Sequence, residues 1–319
     1  MEPEIFDTII IGGGVAGIAA AIYAVRKNLK VLMLTKNIGG QAALSGDVEN
    51  YPGFTMITGA DLAKKFKEEL INFENHGLWV KEGVEVVDLA GADPDFSVKT
   101  SDGQIYHGKT VIIASGRNPK LLNIPGEKEF FGKGVATCTT CDAPFYKDKD
   151  VAVVGGGNSA LDAAFSLIKV ARSVTIINNT DSLRGDEILL KNVTTSPKVK
   201  ILNNHEALEI LGDQAVGGIK VRDQAGQEQI IPVSGVFIEI GWTPSTSFDK
   251  LTDKNDIGEI EVDEYGATSV PGIYACGDVN DIWGEQIVIA AGEGAKTGLR
   301  VAEHLSKVPH QHTSNIHEG

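Results

Sequence analysis

The amino-acid sequence contains little cysteine and no long apolar run. Its three cysteines are an odd number, which excludes a disulfide framework. No apolar stretch reaches the roughly 18–20 residues that a helix needs to cross a bilayer. The first residues, Met1-Glu2-Pro3-Glu4, are acidic where a secretory signal is basic. We therefore expect a cytoplasmic protein that does not enter a membrane.

Basic residues are also scarce relative to acidic ones. The chain has 29 Lys and Arg residues against 43 Asp and Glu residues, a net charge of −14. A phosphate backbone is bound through clustered Lys and Arg side chains, so we do not expect nucleic acid as a partner. The length of 319 residues favours two domains, each large enough to bury a core.

A glycine-rich turn between an apolar strand and a helix occurs twice, about 140 residues apart. The turns are Gly12–Gly17 and Gly155–Ala160. In the first copy, the strand, the helix and the following strand are predicted over residues 6–11, 18–27 and 30–35. In the second copy they are predicted over residues 151–154, 161–169 and 173–177.

Such a turn is typical of a dinucleotide site. Its first glycine makes the turn, the second lets a pyrophosphate approach the backbone, and the third allows close packing of helix on strand. The two copies therefore predict an α/β chain with two Rossmann-like dinucleotide-binding domains. Because Ala160 replaces the third glycine, the second copy has an alternative interpretation as a relic fold that no longer binds.

The stretch after each second strand is unusual for such a site. An acidic residue there would hold a ribose diol, and an arginine would suit a 2′-phosphate. The first copy has Thr35-Lys36 and the second has Asn178-Asn179-Thr180. An Asn178 amide can hydrogen-bond a ribose hydroxyl, but it cannot neutralise a phosphate.

The segment Cys138-Thr139-Thr140-Cys141-Asp142 is the predicted chemical centre. Its spacing lets two thiols close a small disulfide ring, and Asp142 is placed to move a proton to or from a leaving thiolate. Half of a zinc site is the alternative. Zinc normally needs four ligands, but the only other cysteine is Cys276 and no histidine lies within ten residues of the pair. We therefore predict a redox pair, no metal, and a buried, inert Cys276.

Taken together, these motifs resemble the low-molecular-weight thioredoxin reductase family, which includes the flavoprotein component of alkyl hydroperoxide reductase. The resemblance covers about residues 5–307. Its further marks are Gly39-Gly40-Gln41, Glu49-Asn50-Tyr51-Pro52-Gly53, Ala114-Ser115-Gly116, Cys276-Gly277-Asp278 and Gln286-Ile287.

The resemblance implies a discontinuous FAD domain with a pyridine nucleotide domain inserted into it. This agrees with two apolar strands, over 110–116 and 235–241, that are each followed by a proline (Pro119 and Pro244) and predict crossings between domains. We expect residues 1–115 and 244–319 to form the FAD domain. Residues 116–243 would form the inserted domain that carries the cysteine pair.

The family's residue roles carry over to matching positions. Cys141 would exchange electrons with the flavin, Cys138 would attack the substrate disulfide, and Asp142 would act as acid and base. The resemblance implies FAD binding by Gly12, Gly14, Ala16, Gly17, Gly40, Gln41, Asn50, Ala114, Gly116, Gly277, Asp278, Gln286 and Ile287. It implies nicotinamide nucleotide binding by Gly155, Gly157, Asn158, Ser159, Ala160, Asn178 and Arg184.

The chain departs from the family pattern at several positions. NADPH-dependent members carry His-Arg-Arg where this chain has Asn178-Asn179-Thr180, and only Arg184 remains of the basic cluster. The acid typical of the NADH-dependent branch is absent too. Glu285 stands where many members have arginine, and Glu239 is an unusual charge in the second crossing strand. We also expect no counterpart of the thioredoxin-like N-terminal extension of the peroxide reductase flavoprotein, so that any such redox module would be a separate protein.

The resemblance implies a thioredoxin reductase-like enzyme that passes two electrons from a donor through FAD and the cysteine pair to a thioredoxin- or glutaredoxin-like protein. NADH ranks first as donor, and the intact second turn keeps a nicotinamide donor ahead of other donors. NADPH remains an alternative, and so does a non-nicotinamide donor such as ferredoxin or a deazaflavin. A flavin-bound redox sensor with little turnover, and an oxidase-type relative, also remain open. Homodimerisation is expected from the family alone.

Overall fold

The computed structural model describes residues 4–45, 47–48, 50–74, 76–137 and 139–306. Cys138 lies outside the described residues, as do the side chains of Asp47, Thr140 and Cys141 and the whole histidine-containing tail. Within the described residues the chain divides into two compact units. The first contains the residues up to Ala43, those in Asp47–Arg117 and those from Pro244 onward; the second contains those in Asn118–Thr243, with Leu44 and its neighbour.

The first unit is built on a seven-stranded sheet in the order β5-β2-β1-β8-β7-β6, with β19 also pairing with β8. The strands and helices of its first segment are β1 (Ile5–Ile11), α1 (Val15–Val25), β2 (Val31–Thr35), β3 (Asp47–Val48), β4 (Ile57–Thr58), α2 (Gly59–Ile71), β5 (Leu78–Glu82), β6 (Val86–Ala92), β7 (Asp95–Thr100) and β8 (Ile105–Ile113). The sheet is completed after the insertion by β19 (Ile273–Ala275), and the unit ends with α6 (Ile287–Ser306).

Alternating side chains bury the two faces of this sheet in different layers. Ile10 and Met33 pack among residues of α1, α2 and α6. Their neighbours Ile9 and Leu32 point the other way, toward the antiparallel pair β6 and β7. β1, β2, β5, β8 and β19 pair in parallel. Parallel strands covered on both faces explain why their sequences read as continuous apolar runs.

The second unit repeats the plan with a five-stranded parallel sheet in the order β10-β17-β11-β12-β13. Its elements are β10 (Val135–Ala136), α3 (Thr139–Asp142), β11 (Asp150–Val154), α4 (Asn158–Ile168), β12 (Ser173–Ile177), α5 (Glu187–Thr194), β13 (Val199–Leu202), β14 (His205–Gly212), β15 (Val216–Asp223), β16 (Glu228–Pro232) and β17 (Gly235–Ile238). One face packs against α4 and α5, and the other against the antiparallel sheet β14-β15-β16.

The chain passes between the units through two short strands, β9 (Arg117–Pro119) and β18 (Trp242–Pro244), which pair with each other. Each of them ends at one of the two prolines that predicted the crossings. The predicted fold class, an α/β chain with two Rossmann-like units and the second inserted into the first, is confirmed. No helix among the described residues is long and apolar enough to span a bilayer.

Candidate cofactor and redox site

The first glycine-rich turn has the close approaches that its glycines require. Gly12 has φ +116°, and a Cβ on it would lie 2.2 Å from Ala114 O. A Cβ on Gly17 would lie 2.1 Å from Gly12 O, so α1 packs directly against the turn. At Gly14 a Cβ would meet nothing within 4 Å, which leaves open space at the N-terminus of α1. Backbone N–H groups facing open space fit a pyrophosphate, and hence FAD.

Other predicted FAD residues gather around this turn. Gly40 has φ +54°, and a Cβ there would lie 3.0 Å from Gly14 Cα. Gly277 approaches α1 so closely that a Cβ would lie 2.7 Å from Ala16 Cβ. Asn50 Nδ2 donates to Gln286 Oε1 at 3.0 Å, which joins two motifs far apart in sequence. The first unit therefore brings Gly40 and Gly277 against the turn, and it joins Asn50 to Gln286.

The Arg117 side chain contacts the Asp278 and Glu285 segments, although sequence analysis did not single it out. Its Nε donates to Asp278 O at 2.7 Å, and its Nη2 pairs with Glu259 at 2.9 Å and with Glu285 at 2.7 Å. Its own carbonyl accepts from Gln41 Nε2 at 3.4 Å. The Arg117 side chain is 14% exposed, so this is a largely buried network. Glu285, the departure noted in the sequence, is therefore one of its carboxylate partners.

The Gly277–Asp278 turn is held from α6 by a second residue that sequence analysis missed. Glu293, which is 7% exposed, accepts from Gly277 N and from Asn280 Nδ2, both at 2.8 Å. Burial raises the pKa of Asp278, and the charges of Glu285 and Glu293 raise it further, against the opposing effect of Arg117. No sequence motif marks Glu293. Its role is visible only because the fold brings it close to the Cys276-Gly277-Asp278 motif.

The cysteine motif of the second unit includes a one-turn helix. α3 (Thr139–Asp142) follows β10, and a short 3-10 helix (Ala143–Tyr146) continues from it. Burial raises the pKa of Asp142 above the ordinary aspartate range. Phe145, three residues further on, is 71% exposed. An aspartate that retains its proton more readily, next to Cys141 in sequence, suits the predicted acid–base role.

A second acid reaches the same helix. Glu239 directly follows β17, and its Oε1 accepts a hydrogen bond from Thr139 Oγ1 at 2.9 Å. Burial, the largest influence, raises the pKa of Glu239 to about 7; the Thr139 hydrogen bond lowers it and the charge of Asp162 raises it. The unusual charge in the crossing strand is thus a partly buried carboxyl that is hydrogen-bonded to one of the two residues between the cysteines.

The second glycine-rich turn matches the first in its geometry. Gly155 has φ +142°, and a Cβ there would lie 2.1 Å from Glu239 O, while the Ala160 Cβ is 3.1 Å from the same position. At Gly157 a Cβ would again meet nothing within 4 Å. Asn158, the first residue of α4, accepts from Asp186 N at 2.9 Å, and Ser159 follows it in the first turn. This turn therefore also leaves backbone N–H groups facing open space.

Asn178 has a different role from the ribose contact expected of it. Its side chain is 1% exposed; Nδ2 donates to Asn203 Oδ1 at 2.9 Å and to Thr180 O at 3.2 Å. Its Oδ1 accepts from the Thr180 backbone and hydroxyl at 3.2 and 3.0 Å. Both amide hydrogens are thus engaged inside the unit, because the loop after β12 folds over them. By contrast Arg184 is exposed, and its N donates to Gly156 O at 2.8 Å.

The remaining cysteine, Cys276, is free and 1% exposed at the end of β19. Burial raises the pKa of its thiol, which favours the inert packing role expected from sequence. Among the described residues, no group of three or more His, Cys, Asp and Glu side chains is arranged to hold a metal ion.

Two Rossmann-like units with open glycine turns, one unit carrying a Cys-x-x-Cys-Asp segment, define a disulfide oxidoreductase of the two-dinucleotide class. The family described as pyridine nucleotide-disulphide oxidoreductase matches residues 6–294. The chain belongs to this family. The predicted enzyme type, an FAD-dependent disulfide oxidoreductase, and the resemblance to thioredoxin reductases are thereby confirmed.

Among curated proteins, the chain is similar to a Bacillus subtilis NADH dehydrogenase, with 37% identity over 95% of this chain and 59% of that protein. It is also 37% identical to a component of the alkyl hydroperoxide reductase of Xanthomonas campestris pv. phaseoli, over 95% of this chain and 57% of that protein. The chain thus spans less than two thirds of the length of these relatives.

Solved thioredoxin reductases match over their full length. The T. acidophilum enzyme has 38% identity and a TM-score of 0.80, over 95% of this chain and 99% of that chain. The Lactococcus lactis enzyme has 32% identity and a TM-score of 0.82, over 95% and 100%. A ferredoxin-flavin thioredoxin reductase from Clostridium acetobutylicum has 30% identity and a TM-score of 0.53, over 96% and 100%.

Proposed function

We propose that this chain reduces the disulfide of a thioredoxin- or glutaredoxin-like protein with electrons from a reduced donor. The observation that carries the proposal is the Cys138–Asp142 segment, in which Asp142 ends a one-turn helix and burial raises its pKa. An open dinucleotide turn in the same unit supports it, because a reductase needs a way to receive electrons.

The cofactor is FAD, which supplies two-electron transfer between a donor and a disulfide. Gly12, Gly14 and Gly17 would bind its pyrophosphate, and Asp278 would bind next to it. Ala16, Gly40, Gln41, Asn50, Ala114, Gly116, Gly277, Gln286 and Ile287 would line the rest. Arg117 and Glu293 orient the Asp278 turn from two sides, through Asp278 O and Gly277 N.

The chemical step is a thiol–disulfide exchange. The Cys138 thiolate bonds to one sulfur of the partner disulfide, and the other sulfur leaves and takes a proton from Asp142. Cys141 then attacks the Cys138 sulfur, which releases the partner as a dithiol and leaves the Cys138–Cys141 disulfide. The partner gains two electrons and the cysteine pair loses two.

We propose NADH as the favoured donor. The open turn at Gly155–Ala160 supports a nicotinamide nucleotide, and the similarity to a protein named NADH dehydrogenase supports the unphosphorylated form. Gly155, Gly157, Asn158, Ser159 and Ala160 would bind the pyrophosphate, with the exposed Arg184 nearby. Asn178 would shape this site from within.

A ferredoxin-type donor is the second candidate. The specific observation in its favour is that the neutral Asn178-Asn179-Thr180 stretch is hydrogen-bonded to itself and to Asn203. The similarity to a ferredoxin-flavin thioredoxin reductase supports it as well. NADPH ranks below both, because Arg184 alone remains of the basic cluster.

Several wider features are part of the same proposal. We expect the inserted domain to cover residues 116–243, the protein to be cytoplasmic, and two copies to form a homodimer. The exposed Phe145 next to the redox helix would contact the partner protein, since exposed aromatic side chains commonly anchor interfaces.

The test is an anaerobic assay of the holoenzyme with NADH, NADPH or reduced ferredoxin and a thioredoxin-like substrate. Cys138→Ser should still allow bleaching of the flavin by the donor but lower protein disulfide reduction at least a hundredfold, because the attacking thiol is lost. Cys276→Ser is the matched control and should retain turnover. Unchanged turnover in Cys138→Ser would contradict the assignment of Cys138 as the attacking thiol.

A further inference from the structure

Glu239 presents a carboxyl group to the helix that holds the cysteine motif. Its backbone N donates to Val154 O at 2.8 Å, which fixes it beside the end of β11. Its Oε1 accepts from Thr139 Oγ1 at 2.9 Å. Thr139 is 6% exposed and stands between Cys138 and Cys141 in sequence. One carboxyl therefore contacts Thr139, the first of the two residues that separate the cysteines.

The charged groups around Glu239 are acidic. Asp162 on α4 acts on it with a charge of the same sign, and Asp186 in turn acts on Asp162. Asp142 ends the one-turn helix that Thr139 begins. Among the described residues, no lysine, arginine or histidine forms an ion pair with the Glu239 carboxyl. Its charge is thus not neutralised by an ion pair.

Burial raises the pKa of Glu239 to about 7. An ordinary glutamate is ionised throughout the range in which thiols titrate, whereas this carboxyl gains its charge within it. Below that pH a neutral carboxyl faces Thr139, and above it an anion does. A negative charge near a thiol disfavours the thiolate.

We infer that Glu239 is a positioning residue of the Cys138–Cys141 pair, which acts through Thr139 and controls the pH at which the attacking thiol becomes a thiolate. The inference rests on the proposed function, in that it assigns this pair to the redox reaction. No bond forms between Glu239 and sulfur; its carboxyl only exchanges a proton with solvent. The consequence is a thiolate titration with a second inflection, set by Glu239.

The experiment measures the alkylation rate of the reduced pair in the holoenzyme with iodoacetamide, between about pH 5 and pH 9. Mass spectrometry of the peptide that contains Cys138 and Cys141 separates this reaction from that of the buried Cys276. Wild type should show an inflection near pH 7 in addition to that of the thiol. Glu239→Gln, which keeps the shape of the side chain, should remove that inflection.

The rate ratio of Glu239→Gln to wild type should be about 1 near pH 5.5, where Glu239 is neutral in the folded protein. It should rise to roughly three- to tenfold between about pH 7 and pH 8.5, because an effect of up to one pKa unit changes the thiolate fraction up to tenfold. Glu129→Gln, an exposed glutamate of the same unit, is the control and should follow wild type.

Two further variants test the sign. Thr139→Val removes the hydrogen bond that lowers the pKa of Glu239, so the inflection should move to higher pH. Asp162→Asn removes a repulsive charge, so the inflection should move to lower pH. If circular dichroism and flavin absorbance show that Glu239→Gln does not fold, these two variants still test the inference.

Superimposable profiles of Glu239→Gln, Glu129→Gln and wild type would overturn the inference. Shifts of Thr139→Val and Asp162→Asn in the same direction would do so as well, because packing would then explain both. Alkylation needs only the reduced thiols. If the wild-type enzyme did not reduce protein disulfides, the proposed function would be contradicted. The alkylation profiles would still confirm or contradict the inference about Glu239.

Discussion

Arg117 illustrates how Glu285, which the sequence analysis singled out as a departure from the family pattern, finds a partner of opposite charge within the fold. The Arg117 guanidinium pairs with Glu285 and Glu259 and donates to Asp278 O. A largely buried arginine is stable only when its donors are satisfied, and these partners satisfy it. The reversal of charge at Glu285 is thereby explained by its partner.

The exposure of Phe145 is also a property of a single side chain. We predict that Phe145→Ala raises the KM for a thioredoxin-like substrate about tenfold, since an interface aromatic commonly contributes more than 1 kcal/mol. Reduction of a small disulfide such as 5,5′-dithiobis(2-nitrobenzoic acid) should be unchanged.

The control for this prediction is Ile188→Ala. Ile188 is 76% exposed in the same unit but lies on α5, away from the cysteine motif in sequence. Steady-state kinetics of both variants check the prediction. Equal KM values for Phe145→Ala and wild type would exclude Phe145 from the docking surface.

At the scale of elements, the glycine-rich turns could be predicted from sequence because their requirement is local. A side chain at Gly12 or Gly155 would collide with the neighbouring backbone at 2.2 or 2.1 Å, so the spacing of glycines reports the turn directly. The apolar runs likewise predicted the parallel strands, with ends displaced by a few residues. For example, α1 begins at Val15 where the pattern predicted residue 18.

The polar contacts around the site could not be predicted, because each joins residues far apart in the chain. Thr139 and Glu239 are 100 residues apart, and Arg117 and Glu259 are 142 apart. The hydrophobic periodicity of the sequence does not indicate which distant residues will pair. The engagement of Asn178 was missed for the same reason, since its partner Asn203 comes from the loop after β13.

The loop that follows β12 is the basis of a prediction about the choice between NADPH and NADH. Asn179 is exposed, whereas Thr180 uses its hydroxyl to hold Asn178 and Ser182. Asn179→Arg alone should therefore add charge without dismantling the loop. We predict that it raises the ratio of kcat/KM for NADPH to that for NADH about tenfold, because a charge-assisted hydrogen bond to the 2′-phosphate contributes about 1.5 kcal/mol.

Asn179→Gln is the matched control, as it adds length but no charge, and its ratio should equal that of wild type. Both ratios are measured from anaerobic flavin bleaching. An unaltered ratio in Asn179→Arg would mean that the adenosine end of the nucleotide binds elsewhere, or that the donor is not a nucleotide.

At the scale of the whole molecule, each unit has its own sheet with a parallel core that is covered on both faces, and the long inserted segment begins and ends at β9 and β18. This division separates the residues predicted for FAD from those predicted for the cysteine pair and the nucleotide. Duplication of one local pattern made the fold class predictable. The assignment of different chemistry to each copy came from the motifs that are not duplicated.

The central claim is that the cysteine pair stores electrons in addition to the flavin. The most direct measurement is an anaerobic titration of the holoenzyme with dithionite, followed by flavin absorbance. Wild type should take up about four electrons per chain, two for FAD and two for the Cys138–Cys141 disulfide, while Cys138→Ser should take up about two. Uptake of two electrons by wild type, equal to the variant, would contradict a redox-active pair and with it the proposed reductase.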